Sequence, residues 1–159
     1  MEVHRCRFVD WVPEEAESVA FSHETGAETR LAVGRRGGTI EVYRRLVRAS
    51  GPGERVLWYR ERDVPGEGEG GARSVAWGAG GRLFSGSLAG TVVEWSLATL
   101  GRARAAPSGG GAVWGVAASP DGRVLAAACE DGAVRLFDLW DAADVTAAHA
   151  VPCLRLRAT

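Results

Sequence analysis

The chain has 159 residues, 46% of them hydrophobic and 25% charged, and a net charge of −1. That is enough chain for one domain and one core, and so small a net charge excludes a global field that would draw the chain onto nucleic acid or an anionic membrane. Its three cysteines, Cys6, Cys129 and Cys153, are odd in number and far apart, which excludes a disulfide framework.

All 19 basic side chains are arginines, a bias that reads as a feature of the gene's base composition and carries little physical weight. The opening residues lack the apolar stretch of a secretory signal, and no apolar run reaches the length of a membrane span. The expectation is a soluble intracellular protein.

Three segments repeat in chain order. The first, within 13–48, runs Ser18-Val19-Ala20-Phe21, Arg30-Leu31-Ala32-Val33-Gly34 and Gly38-Thr39-Ile40-Glu41-Val42-Tyr43. A Gly- and Glu-rich stretch at 49–71 follows and reads as a loop insertion. The second segment, within 72–98, runs Ser74-Val75-Ala76-Trp77, Arg82-Leu83-Phe84-Ser85-Gly86 and Gly90-Thr91-Val92-Val93-Glu94-Trp95. The third, within 112–140, runs Gly115-Val116-Ala117-Ala118, Arg123-Val124-Leu125-Ala126-Ala127 and Gly132-Ala133-Val134-Arg135-Leu136-Phe137. Val75 and Val116 lie 41 positions apart, Val19 and Val75 lie 56 apart, and the insertion accounts for the difference. The tail at 141–159 diverges from the pattern.

Each unit holds three short apolar runs, too short for helices and rich in strand-forming residues. Ser119-Pro120-Asp121-Gly122, Glu130-Asp131-Gly132 and Ala79-Gly80-Gly81 are turn sequences. Strand and turn alternating at a period of about 40 residues is the pattern of a propeller blade. The expected fold is all-β, a partial β-propeller of about three blades with its ring incomplete. A β-helix or β-sandwich also gives short strands; the aromatic ending each unit (Tyr43, Trp95, Phe137) favours the propeller.

Few residues point to chemistry. Gly66-Glu67-Gly68-Glu69-Gly70-Gly71 has the dinucleotide-loop spacing, but its glutamates would repel phosphate and a strand follows where a helix is needed. It reads as a flexible surface loop. His4, His23 and His149 have no ligand spacing to a cysteine, so no metal site is expected. Cys129 reads as core, and so do Trp77, Trp95 and Trp114 at strand positions. Asp131 and Gly132 read as a structural turn, the aspartate bonding its own turn amides. No catalytic constellation, cofactor or small-molecule substrate is expected, and the chain is not expected to be an enzyme.

Arg35, Arg36, Arg44, Arg45 and Arg48 form the one basic cluster, with Arg60 and Arg62 following. Interleaving with Glu41, Glu54 and Glu61 makes a solvated surface the plainer reading. The cluster is nevertheless the candidate for RNA phosphate contact. Trp58, Tyr59 and Trp140 lie outside the repeated strands and are candidate partner anchors, although covering a blade face is an equal alternative.

Asp-Gly-Ala-Val-Arg-Leu-Phe-Asp at 131–138 resembles the end of a WD repeat, with Phe137-Asp138 in place of Trp-Asp. Gly37 and Ala89 stand where that family keeps the aspartate in the other two units. These are degenerate repeats, and the side-chain network around that aspartate is expected to be missing from them. Four further segments resemble the cirhin family, small nucleolar RNA-associated protein 4, in order: 3–13, Leu31 to Tyr43, Arg82 to Gly90, and Val113 to Gly132. The resemblance implies that residues 1–12 hold a strand closing the ring against a last blade. It also implies a chain much longer than this one, so the sequence reads as a fragment, a truncated gene model or a splice product.

By the same resemblance the expected role is a non-catalytic scaffold of the nucleolar small-subunit processome. It would support transcription and processing of pre-ribosomal RNA, with other WD-repeat subunits and pre-ribosomal RNA, bound directly or indirectly, as partners and no membrane contact. The alternative is a substrate- or peptide-recognition propeller of another complex, such as a ubiquitin ligase. Open sheet edges and an uncovered blade face give the isolated chain poor stability. A heat melt of the purified chain, followed by circular dichroism, should be broad; a sharp cooperative melt of a monomer would count against this reading.

Overall fold

The apolar runs of the three units are extended because their β-branched and aromatic side chains fit a pleated, half-buried surface. In the computed structural model, which describes residues 14–50, 53–66, 68, 70–139 and 150–154, they form three antiparallel four-stranded meanders. The first blade is β1 (Ala16–Phe21), β2 (Arg30–Arg35), β3 (Ile40–Ser50) and β4 (Gly53–Val64). The second is β5 (Ser74–Trp77), β6 (Leu83–Gly86), β7 (Thr91–Ser96) and β8 (Gly101–Pro107). The third is β9 (Val113–Ala118), β10 (Val124–Cys129), β11 (Val134–Asp138) and β12 (Ala150–Leu154). Strands β1, β5 and β9 lie side by side as the inner edges of successive blades. The ring is not closed.

The repeated turn between the second and third strands of each blade needs a left-handed residue, and glycine fills it at Gly38 (φ 92°), Gly90 (φ 82°) and Gly132 (φ 79°). Register then divides each blade into two faces. In blade 1 the residues pairing as Ser18↔Gly34↔Ile40↔Val64 and Ala20↔Ala32↔Val42↔Arg62 share the front face. Val19, Phe21, Leu31, Val33 and Tyr43 share the back face. In blade 2 the back face holds Val75, Trp77, Leu83, Val93 and Trp95, and it packs on the front of blade 1 in one core with Ala32, Ile40, Val42 and Val64. The front of blade 2 (Phe84, Val92) packs in a second core on the back of blade 3, with Val113, Leu125, Ala127, Cys129 and Phe137. Every residue of β6 is buried because blade 2 alone has neighbours on both sides, whereas β10 alternates.

Hydrogen bonds fix the spacing of the blades. The Ser18 hydroxyl accepts the Val75 amide at 3.0 Å, and the Ser74 hydroxyl accepts the Val116 amide at 3.0 Å. The Trp77 indole donates to the Ala20 carbonyl at 3.0 Å. Inner-edge amides that would face water unpaired are thereby used.

Two stretches differ from the sequence expectation. Residues 53–64, inside the stretch read as a loop at 49–71, are strand β4, paired with β3 along its whole length. Residues 101–107, beyond the second unit as read, are β8, the fourth strand of blade 2. Both are outer strands rich in arginine, so neither carries a strong apolar pattern. The strand expected at 1–12 lies outside the described residues.

Phe21 and Trp77 occupy equivalent positions, yet Phe21 is 61% exposed and Trp77 2%. Trp77→Ala should therefore cost about 3–5 kcal/mol in urea unfolding, and Phe21→Ala about 1 kcal/mol or less, chiefly its contact with Trp58. Equal costs would mean that something covers the back of blade 1.

Candidate functional site

Strands β3 and β4 have 11 and 12 residues, against 6 and 7 for β7 and β8. The excess forms an arm. Strand β2 pairs with β3 only as far as Arg44, and the Arg45 amide donates to the Thr29 carbonyl. Beyond that point β3 pairs with β4 alone. Seven cross-strand pairs, from Arg44↔Tyr59 to Ser50↔Gly53, make the arm, a reach of roughly 20 Å at about 3.4 Å per residue.

An isolated hairpin is marginal in water, and the base of this one is anchored. Trp58 lies on Phe21 with ring centroids 5.7 Å apart. Arg44 reaches Glu28 at 2.5 Å, and this hydrogen bond holds the guanidinium pKa above its ordinary value. Arg45 reaches the Gly26 carbonyl at 3.4 Å. A bulge between Val42 and Tyr43 marks where blade becomes arm.

The arm's two faces differ. Arg45, Val47, Val56 and Trp58 share the side that meets Phe21. The other side carries three rows, Arg44↔Tyr59, Leu46↔Leu57 and Arg48↔Arg55. Leu57 and Tyr59 are exposed there, as are Arg48 and Arg55.

The structure thus divides the arginine cluster read from the sequence. Arg35 and Arg36 lie at the far end of the blade. Arg35 donates to Glu41 at 2.6 Å and to the Glu14 carbonyl, and Arg36 pairs with Glu15 at 2.9 Å. Tyr43 also donates to Glu41, and burial first, then that bond, pushes its phenol up to about 12. Arg60 pairs with Asp63 and Glu41, and Arg62 donates to the Leu97 carbonyl of blade 2. Arg44, Arg45 and Arg48 instead share the arm with Trp58 and Tyr59. Trp140 lies outside the described residues. Arg55 and Leu57 were missed. The signal was present in Ser50-Gly51-Pro52-Gly53, a turn sequence between two apolar pairs.

At the opposite end of the sheets, equivalent positions of three blades touch in a row. Glu17 accepts from Arg73 at 3.0 Å, and the Arg73 guanidinium lies 5.5 Å over the Trp114 ring. Trp114 is half exposed, contrary to the core role expected for it. The register shift between Ala128 and Cys129 turns Val113 inward and Trp114 out.

The remaining residues singled out by the sequence take structural positions. Asp131 accepts the Ala133 amide at 3.0 Å and binds Arg135 through both oxygens. In blade 2 Ser87 substitutes for the missing aspartate, accepting the Thr91 amide and bonding the Thr91 hydroxyl at 2.7 Å. A side chain at Gly66 would clash with the Gly38 carbonyl, one at Gly38 would clash with the Gly68 backbone, and Gly70 lies close against Leu88. The Gly70 amide donates to the Arg36 carbonyl, and the Gly70 carbonyl accepts from Leu88. The motif read as a flexible loop is a backbone joint between two blades. His23 bonds the Trp77 carbonyl at 3.0 Å, and Cys129 is buried.

Three stacked meanders, each with its first strand innermost, define a WD-repeat β-propeller with the ring unclosed. Residues 104–138, covering most of β8 together with β9 to β11, match the family described as WD domain, G-beta repeat. The Cps50 (Swd1) β-propeller domain of Myceliophteria thermophila has the same fold, with a TM-score of 0.60 and 22% identity, over 82% of this chain and 36% of that one. The chain is homologous to U3 small nucleolar RNA-associated protein 4. It is 36% identical to the human homolog over 138 residues and 33% identical to the Saccharomyces cerevisiae protein over 149 residues. Both matches cover 87% of this chain and 18% of the relative, so the chain spans about a fifth of the curated relatives it matches.

Trp58 is the arm's apolar contact with Phe21 of the blade. Trp58→Ala should release the arm without melting the blade. Hydrogen exchange at 46–57 is expected to quicken at least tenfold while exchange at 31–34 stays unchanged. Unaltered arm protection would show that the hairpin stands by itself.

Proposed function

We propose that this chain is part of a non-catalytic WD-repeat scaffold for small-subunit ribosome biogenesis. It would act in the nucleolar small-subunit processome, where it supports transcription and processing of pre-ribosomal RNA. The observation that carries this reading is homology over 87% of the chain to proteins named for association with the U3 small nucleolar RNA. The partners in this reading are other WD-repeat subunits and pre-ribosomal RNA.

The physical basis is display. Stacked blades hold their end loops at fixed spacing, because joints such as Ser74 to Val116 and Gly70 to Arg36 tie blade to blade. Several weak contacts on one rigid body then act together through a high effective concentration, with no bond made or broken. The half-exposed Trp114 beside Arg73 and the arm on blade 1 offer separate contact points on that body. Exposed aromatic and arginine side chains are the types that dominate binding hot spots.

Affinity purification of the tagged chain from nuclear extract, with and without RNase, tests the proposal by mass spectrometry. Processome subunits are expected in both conditions. Recovery of ubiquitin-ligase subunits in their place would replace this reading with that of a substrate-recognition propeller.

A further inference from the structure

Among the described residues the arm has no counterpart in blades 2 and 3, and its open face has an arrangement that folding does not explain. Arg48 and Arg55 are direct cross-strand partners. Like charges placed opposite each other destabilise a hairpin, and this pair sits toward the free end of the longest hairpin among the described residues. Among the described residues no carboxylate pairs with either guanidinium. The next row inward is Leu46↔Leu57, and the row after that holds Tyr59, its ring exposed beside Arg44. Two cations followed by flat and apolar surface, on one strip two residues per row, match a polyanion that also carries flat bases.

We propose that this face of the β3–β4 arm binds single-stranded RNA, with Arg48 and Arg55 on phosphate oxygens and Tyr59 stacked on a base. The proposal rests on the reading that the chain works in an RNA-containing assembly. A phosphate between the two guanidiniums converts their repulsion into two charge-assisted hydrogen bonds. Stacking on Tyr59 needs an unpaired base, which selects single strands over duplex and tolerates any sequence. Binding therefore follows salt steeply and sequence weakly.

Fluorescence anisotropy of the full chain with a labelled oligouridine of about a dozen nucleotides, within the usual span of such sites, tests this. Arg55→Glu is the informative variant. It places a carboxylate opposite Arg48, so hydrogen-exchange protection of the arm should hold or rise. Affinity should fall about tenfold or more, and the slope of log K against log salt should flatten by about 0.7 for each phosphate no longer neutralised. Tyr59→Ala should weaken binding at least about fivefold with the slope unchanged. Arg123→Glu, the same charge change in an exposed turn of blade 3, should leave binding as it is.

Failure of the native chain to bind oligouridine overturns the proposal, as does unchanged affinity in Arg55→Glu and Tyr59→Ala. An equal loss in Arg123→Glu overturns it too, since that would be charge without a site. If Arg55→Glu loses protein partners in RNase-treated purifications but binds oligouridine normally, the arm docks protein and the proposal falls. Processome subunits recovered with a native chain that does not bind oligouridine would sink the arm's role and leave the scaffold standing.

Discussion

Trp77 lies where two sheets meet, its ring in the core formed with Ala32, Ile40 and Val42 and its indole N–H on the carbonyl of Ala20. This joint works because the front of blade 1 is built from small or compact residues and the back of blade 2 carries large rings. Sheets must approach to about 10 Å for such packing, and Gly34 and Gly86 show how close the approach is. A side chain at Gly34 would meet the Ala72 backbone, and one at Gly86 would meet Val113. The serine hydroxyls of β1 and β5 set the height of each blade against the next. At the equivalent point of β9 the residue is Gly115, which has no hydroxyl to offer. The two joints are thus alike in their serine-to-amide hydrogen bond, which blade 3 is not equipped to repeat.

The same complementarity explains where apolar surface is exposed. The back of blade 1 offers Val19 and Phe21, the counterparts of Val75 and Trp77, and both are open. The front of blade 3 offers the small residues Ala117 and Ala128, also open. These are the two halves of a joint of the kind already made between blades 1 and 2. The structural relative is matched over 36% of its length, in keeping with a ring that three blades do not complete. Such surface calls for more blades of the same design. It is a packing requirement and says nothing about which molecules the protein recognises.

The sequence revealed the three-strand centre of each blade because those strands are buried and carry valine, leucine and aromatic residues at repeated positions. The fourth strands were hidden. β8 reads Gly-Arg-Ala-Arg-Ala-Ala-Pro, an outer edge in which arginine and alanine alternate without a strong apolar signal. β4 was obscured by Glu54, Arg55, Arg60, Glu61, Arg62 and Asp63 around its short apolar run. Missing β4 had a second consequence. Arg44, Arg45 and Arg48 were read as a surface cluster of the first unit and Trp58 and Tyr59 in a loop, so two groups that share one hairpin were treated as separate candidates. Trp114 was misjudged for another reason: it is the extra residue at a register shift between β9 and β10, which single-sequence periodicity does not report. The glycine motif at 66–71 was legible as unsuited to phosphate. Its role in joining two turns became visible only with the backbone of Gly38 beside it.

What separates architecture from function in a repeat protein is departure from the repeat. Ring-building features recur here: the glycine at Gly38, Gly90 and Gly132, the inner-edge serine, and the aromatic at Tyr43, Trp95 and Phe137. Each is accounted for by the packing of one blade on another. Among the described residues the arm does not recur. Its extra length adds no residue to either core, since β2 stops pairing at Arg44 and Trp58 rests on Phe21 outside both. Its open face sets one arginine opposite another, which weakens the hairpin that carries them. A feature that appears once, costs stability and adds nothing to the core is poorly explained by folding. That contrast, more than the number of arginines, distinguishes Arg48 and Arg55 from Arg35 and Arg36, whose charges are already engaged by Glu41 and Glu15. Basic composition alone could not separate these two pairs; the cross-strand register does.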